Sequence, residues 1–344
     1  MEQIYLDNNA TTPVAASVRE AMLPFLTEYY GNPSSSHTFG RICREAVEDA
    51  RGYLAALIGA DRDEIVFTSG GTESNNLALK GVMTHDESPT NGHLVTTAIE
   101  HPAIREPARY LQKRGYEVTV VGCDRHGTID PTDISDAIRP NTQLVSVMQA
   151  NNEIGTLQPL REIGAICRER DVLFHTDAAQ GVGKIPTNVE ALHVDLLSVA
   201  GHKFYAPKGV GALFVRQSVD LEPLTHGALH EKGLRAGTEN VAQIVGLGAA
   251  SLLAANEGEV AFEHLTDLRD RLLAQLREAV GEGLTCNAEE AERLPNTLSV
   301  NFPDVVGDEM LARIPELCAS TGAACHSTGT TVSNTLRAIE LDPN

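Results

Sequence analysis

Lys203 follows the apolar run Leu196–Ala200, in the stretch Gly201-His202-Lys203-Phe204-Tyr205-Ala206-Pro207-Lys208-Gly209. A lysine leaving a buried strand has its ammonium pressed towards the interior, which favours the free amine and suits it to Schiff-base chemistry. Taken alone it reads as a loop lysine, but His202 and Lys208 beside it make the segment more distinctive. Asp177 ends the run Leu173–Asp177, and the carboxyl ends of strands in open α/β sheets are where ligands gather. It reads either as a cap for the following segment or as a counter-ion for a protonated ring nitrogen. Gln180, three residues on, is placed to donate to a neighbouring oxygen. Gly70-Gly71-Thr72-Glu73 lies between the run IVFT and the helical pattern ESNNLALKG, and a strand, a glycine turn and a helix start expose backbone N–H groups that bind phosphate. Thr72 as a simple N-cap is the plainer reading of that turn. A phosphate cup, a strand-end Asp and a post-strand Lys together are the parts needed to hold pyridoxal phosphate (PLP).

Two further residues carry chemistry. His101, in Glu100-His101-Pro102, opens a helix after the run LVTT, where an imidazole can stack on a planar ring and move protons near neutral pH. Cys325 sits among small residues in TGAACHSTG, a loop reachable from solvent with His326 beside it, whereas Cys167 lies within an apolar pattern. The six cysteines form no CxxC pair, so neither a zinc ribbon nor a disulfide framework is indicated. His226 and His230 lack a third ligand, and no metal site is read from them.

These residues need a scaffold that brings strand ends to one edge. Between Glu64 and Val215, short β-rich runs alternate with helical patterns: Ile65–Thr68, Leu94–Thr97, Val118–Gly122, Leu144–Gln149, Leu173–Asp177, Leu196–Ala200 and Gly211–Val215. Such alternation marks an α/β fold with a mainly parallel sheet covered on both faces by helices. After Asn240 the pattern turns helical, with one apolar stripe through Leu265, Leu268, Leu272, Leu276 and Val280. Leu298–Asn301, Gly307–Ile314 and Leu317–Thr321 read as strand, helix and strand of a smaller α+β unit. The division expected is a large domain over 14–255 and a small one from 1–13 and 256–344.

The length of 344 residues and the 42 % hydrophobic content suit such a soluble two-domain protein, and no apolar run nears the ~20 residues of a membrane span. A net charge of −20 repels phosphate backbones and argues against a nucleic-acid groove. Met1–Pro13 carries no secretory signature, which points to the cytoplasm.

The stretches YLDNNATTP, GNPSSSHTFG, FTSGGTESNN, EHPA, NNEIGTLQP, HTDAAQGVGK, GHKFYAPKGVGALFV, GLRAGTEN and TGAACHS run along nearly the whole chain, and in this order the sequence resembles the cysteine desulfurases of the NifS/IscS type, fold-type I PLP enzymes. The resemblance implies that Lys203 carries the cofactor, Asp177 pairs with its pyridinium nitrogen, Gln180 bonds the ring hydroxyl and His101 stacks on the ring. It implies further that Gly71, Thr72 and His202 hold the phosphate, with Thr238 reaching in from the second subunit of a homodimer. Asn152 would face the substrate carboxylate, and Cys325 would take sulfur from L-cysteine as a persulfide for an acceptor or Fe–S scaffold protein, leaving L-alanine. A selenocysteine lyase is the alternative suggested by His326, and an inactive scaffold paralogue is another. Three departures stand out: Ala200 where the family has a phosphate-binding Ser, Gly227-Ala228-Leu229 after His226 where it has three glycines, and an end at Asn344. The family continues beyond Leu336-Arg337-Ala338 into a strand with the arginine that grips the substrate carboxylate, so the small domain is expected to be incomplete at its C-terminal part.

Overall fold

A computed structural model describes residues 3–85, 91–321 and 332–341; Cys325 and His326 lie outside the described residues. The chain passes through a two-residue strand, β1 (Ile4–Tyr5), and helices α1 (Ala16–Thr27) and α2 (Thr38–Ile58) before it reaches the central sheet. That sheet contains β2 (Ile65–Thr68), β3 (His93–Thr97), β4 (Glu117–Val121), β5 (Thr142–Ser146), β6 (Leu173–Asp177), β7 (Leu196–Ala200) and β8 (Gly211–Val215). Their spatial order is β2-β8-β7-β6-β5-β3-β4. The connections carry α3 (Gly71–Met83), α4 (Pro102–Lys113), α5 (Pro131–Ala137), α6 (Leu160–Glu169) and α7 (Val189–Leu192).

The run from β7 to β4 is parallel throughout, as the alternating pattern implies. Strand β8 runs antiparallel to both β7 and β2. Residues 201–210, which join β7 to β8, are too few for the crossover that a parallel partner needs. Adjacent residues of each strand face opposite layers: Val66, Leu94, Leu144, Leu196 and Leu213 pack on one side, Phe67, Val95, Val145, Leu197 and Phe214 on the other. This period of two explains why the runs are apolar at every position: both faces of the sheet are covered.

The long helix α8 (Val241–Val280) begins as part of the core and leaves it. Its buried residues are Ala242, Ile244, Gly246, Leu247, Gly248, Ala250 and Ser251, then only Leu273. The apolar stripe read from the sequence is therefore mostly uncovered: Leu268, Leu272 and Val280 are exposed. The following unit meets the helix along a narrow line, through Leu273 and through Arg269, whose Nη1 donates to the Leu294 carbonyl at 2.9 Å. That unit holds an antiparallel pair, β9 (Thr285–Cys286) and β10 (Val300–Asn301), then α9 (Gly307–Ala312), β11 (Leu317–Cys318) and α10 (Asn334–Ala338). Strand β11 pairs in parallel with β1, Ile4 opposite Leu317. Its strands are shorter than the runs read from the sequence, since only two residues of each find a backbone partner. Among the described residues no helix is long and apolar enough to cross a membrane.

Candidate active site

Because β2, β3, β5, β6 and β7 all point the same way, their C-terminal ends open on one edge, and a cavity of about 280 Å³ lies there. That volume is near the lower end of the ~300–1,000 Å³ common for small-molecule sites. Of the residues singled out from the sequence, Gly71, Thr72, His101, Asn152, Asp177, Gln180, His202 and Lys203 all line it. Thr238 is not part of the lining of this chain's cavity.

Lys203 sits in the short 3-10 turn Gly201–Lys203 that follows β7. Its Nζ donates to the carbonyl oxygens of Asn9 at 2.5 Å and Ala10 at 2.8 Å. The N-terminal segment is thus folded over the lysine. The backbone N–H and hydroxyl of Thr12 both donate to the His202 carbonyl, at 2.9 and 3.1 Å, and the Thr12 hydroxyl accepts from the Tyr205 N–H at 2.8 Å. His202 Nδ1 lies 3.1 Å from the Thr11 hydroxyl. Burial, then the charges of Lys203, Lys208 and Lys184, push the His202 imidazole down to about 4, so it is neutral at neutral pH.

Asp177 is buried at the end of β6, and both of its oxygens are held. Oδ2 accepts from Asn75 Nδ2 at 2.6 Å and Oδ1 from the Ala179 N–H at 3.0 Å. Asn75 stands one turn into α3, and its own Oδ1 is buried without a hydrogen-bond partner. His101 is the N-cap of α4, where Nδ1 accepts from the Ala103 N–H at 3.1 Å. That bond leaves the neutral ring's proton on Nε2. Burial lowers the His101 pKa, as do the charges of Lys203 and Arg105, while Asp177 opposes them. Beneath it, Glu100 accepts from the Thr97 hydroxyl and the Met148 N–H through Oε1, both at 2.8 Å. Burial pushes the Glu100 carboxyl up to about 8.

The turn after β2 is built for close approach. Gly70 adopts φ 149°, ψ 178°, a conformation open essentially to glycine alone. A Cβ on Gly71 would lie 3.1 Å from the Ala200 methyl, so a side chain there would crowd the cavity wall. The first N–H groups of α3 have no carbonyl of their own helix to bond and carry the positive end of its dipole.

Several functional groups escape a reading of side-chain types. Asn9 and Ala10 act through backbone carbonyls nearly two hundred residues from Lys203, and nothing in their side chains announces it. Asn75 could have been found, because it lies four residues after Gly71 and so on the same helix face. Lys184, whose Nζ donates to Gln180 Oε1 at 2.6 Å, also carries a signal in its spacing of four from Gln180.

The chain is 48 % identical over 341 residues to "Cysteine desulfurase IscS" of Dictyoglomus turgidum, covering 98 % of this chain and 86 % of that protein. A solved structure titled "NIFS-LIKE PROTEIN" superposes with TM-score 0.89 at 37 % identity, covering 99 % of this chain and 90 % of that one. Another, "SspA in complex with cysteine", gives TM-score 0.84 at 36 % identity over 98 % and 94 % of the two chains. Residues 4–339 match the aminotransferase class-V family, and the chain belongs to it.

Proposed function

We propose that this protein is a PLP-dependent cysteine desulfurase, which turns L-cysteine into L-alanine and passes the sulfur on as a persulfide. The observation that carries the reading is the convergence, in one cavity, of Lys203 from the end of β7, Asp177 from the end of β6 and the N-terminus of α3 from the end of β2. The residues present fit PLP: the α3 N–H groups and the Thr72 hydroxyl suit its phosphate, the Asp177 carboxylate suits a protonated ring nitrogen, and the space left by Gly71 admits the group closely. Bound there, PLP would supply an electron sink for the substrate's α-carbon.

The chain's own residues would do the rest. Asp177, fixed by Asn75 and Ala179, would favour a protonated ring nitrogen on the cofactor. Lys203 would hold the cofactor through its amine and, when free, would be the base placed to take the substrate's α-proton. His101 presents Nε2–H to the cavity and serves proton movement at the substrate. Asn152 would orient the substrate carboxylate. The Cys325 thiolate then attacks the substrate sulfur: a new S–S bond forms, the Cβ–S bond breaks, and its electron pair stays with the carbon skeleton that is protonated to alanine. Cys325 enters this scheme on sequence alone.

The same reading includes a homodimer in which Thr238 completes the partner's phosphate site, a sulfur-acceptor or Fe–S scaffold partner, and a cytoplasmic location. The division into a large domain over 14–255 and a small one from 1–13 and 256–344 also belongs to it, supported by the β1–β11 pairing and by the exit of α8 from the core.

The test is to incubate purified protein with L-cysteine and PLP and to follow alanine, sulfide and protein persulfide together. Equal yields of alanine and transferable sulfur, with the persulfide on Cys325 and none in Cys325→Ser, support the reading. Alanine formed at the same rate by Cys325→Ser would overturn the persulfide step, and turnover confined to selenocysteine would replace it with the lyase.

A further inference from the structure

Lys184 stands behind the cavity, not in its lining. It follows β6 in a run of turns, and its Nζ donates to Gln180 Oε1 at 2.6 Å. Gln180 is nearly fully buried, and its Nε2 donates to the Asn9 carbonyl at 2.9 Å. That carbonyl also accepts from Lys203. The four groups form one hydrogen-bonded chain: Lys184 ammonium, Gln180 amide, Asn9 carbonyl, Lys203 ammonium.

An amide is ambiguous, since its oxygen accepts and its nitrogen donates, and a half-turn exchanges them. An ammonium has donors only. With Lys184 on one side, the oxygen of Gln180 must face it, and the NH₂ must face the Asn9 carbonyl at the cavity wall. Were the amide reversed, the Lys184 ammonium would meet the NH₂ group, and the Asn9 carbonyl would meet an oxygen, two repulsive contacts in a buried place.

We propose that Lys184 is a positioning residue that locks the Gln180 amide as a hydrogen-bond donor towards the cavity, and so selects a ligand with an acceptor oxygen at that wall. This inference rests on the PLP reading of the site, where the ring oxygen is that acceptor. Burial and the charge of Lys203 push the Lys184 ammonium down to about 7, and a bound anion in the cavity would draw it back to the charged form. Holding such a cation behind the wall is costly.

PLP titrated into the full-length chain freed of cofactor, followed by absorbance and by induced circular dichroism, tests the lock. Lys184→Met should weaken PLP binding about tenfold and diminish the induced dichroism, which reports a fixed ring orientation. Lys184→Arg, again with donors only, should stay within about twofold of the parent. In a Gln180→Ala background, Lys184→Met should have no further effect, because the amide it orients is gone. Thermal melting of each variant separates loss of the lock from loss of the fold, and Lys184→Gln, whose amide can pair with Gln180 in either orientation and so also releases the lock, replaces the methionine variant with the same expected loss if that one fails to fold. Unchanged PLP affinity in Lys184→Met, or an equal loss in the Gln180→Ala background, would overturn the proposal while leaving the PLP reading in place. A parent protein that binds no PLP would overturn both.

Discussion

The floor of the cavity and the C-terminal unit are held together by different means. Beneath the cavity, β3, β7 and β8 are buried along their whole length, and the polar groups that emerge from such strands are fixed by partners far away in sequence, as Asp177 is by Asn75. Beyond α8 the strands pair over two residues each, and Val305, Val306 and Ile314 are exposed. Besides a few backbone bonds, such as Leu157 N–H to the Glu292 carbonyl and Leu294 N–H to the Gly155 carbonyl, side chains fasten it: Asn9 Nδ2 to the Thr297 hydroxyl at 2.8 Å, Asn296 Nδ2 to Asn9 Oδ1 at 2.9 Å, and Asn151 Nδ2 to the Thr335 hydroxyl at 3.2 Å. The side-chain fasteners meet the large unit at Asn9, in the cavity lining, and at Asn151, next to the lining residue Asn152. A rigid sheet edge therefore sets the chemistry, and a lightly attached unit, with few buried apolar contacts, has a lower cost of local opening.

Changes in the floor should be felt first as lost chemistry. Lys203→Ala should fold, retain no covalently attached PLP after borohydride reduction, and lose at least ~10³-fold in cysteine turnover. Mass spectrometry of the reduced protein checks the first and an alanine assay the second; a cofactor adduct on another lysine would break the assignment. Asp177→Asn should follow with a loss of about 10²-fold or more, because a neutral amide no longer favours a charged ring nitrogen, and the absorbance of bound PLP should shift with it.

Loss of stability comes next. Arg51 is buried behind β2, with Nη1 and Nη2 on the two Glu231 oxygens at 2.9 and 2.8 Å, while Glu231 also accepts from the Phe67 N–H at 2.7 Å. Glu231→Ala leaves the guanidinium with only the half-exposed Glu48 and the Ile65 carbonyl and strips the Phe67 N–H of its acceptor, and should cost about 3 kcal/mol in denaturant unfolding. A loss below 1 kcal/mol would mean that water reaches Arg51. The floor also carries a pH signature. Glu100 keeps its proton up to about 8 when folded but releases it near the ordinary 4.5 when unfolded. The folded chain binds the extra proton between these values, so this contribution to stability falls as pH rises from about 4.5 to about 8, by at most ~1.4 kcal/mol per pH unit. Urea unfolding of Glu100→Gln across that range should lack this fall; parallel curves for parent and variant would show that Glu100 is already ionised in the folded state.

The smallest effect belongs to the C-terminal unit. Ser333 donates to a Glu153 oxygen and accepts from the Leu336 N–H at 3.1 Å, capping α10. Ser333→Ala should cost about 1 kcal/mol, visible as faster hydrogen exchange confined to α10. Exchange that quickens across the central sheet as well would show that the two regions open together.

The same contrast governs what could be read in the sequence. Lys203, Asp177, His101 and Gly71 were legible because each follows an apolar run directly, and strand ends on a parallel sheet share an edge whatever their order. The Asn9 and Ala10 carbonyls were not, since backbone groups carry no residue type. Helices α1 and α2 and the pairing of β1 with β11 left no clear mark either, the pairing because two-residue strands have no period. The stripe from Leu265 to Val280 was legible as one face of a long helix, but periodicity does not report whether anything covers that face.

The reversed strand β8 sets a distance. It separates β2 from β7, so the glycine turn after β2 and the lysine after β7 start two strand spacings apart, about 10 Å. A Cβ on Gly211, the first residue of β8, would fall 2.4 Å from the Val199 carbonyl oxygen and 2.7 Å from the Gly70 Cα. The turn after β2 and the end of β7 are thus drawn in against a strand end trimmed to bare backbone. The width of the site is counted in strands, like a gauge block placed between two jaws. Exchanging loops around the cavity can change what it recognises, but the length of molecule that reaches from cup to lysine is fixed by the order of the sheet.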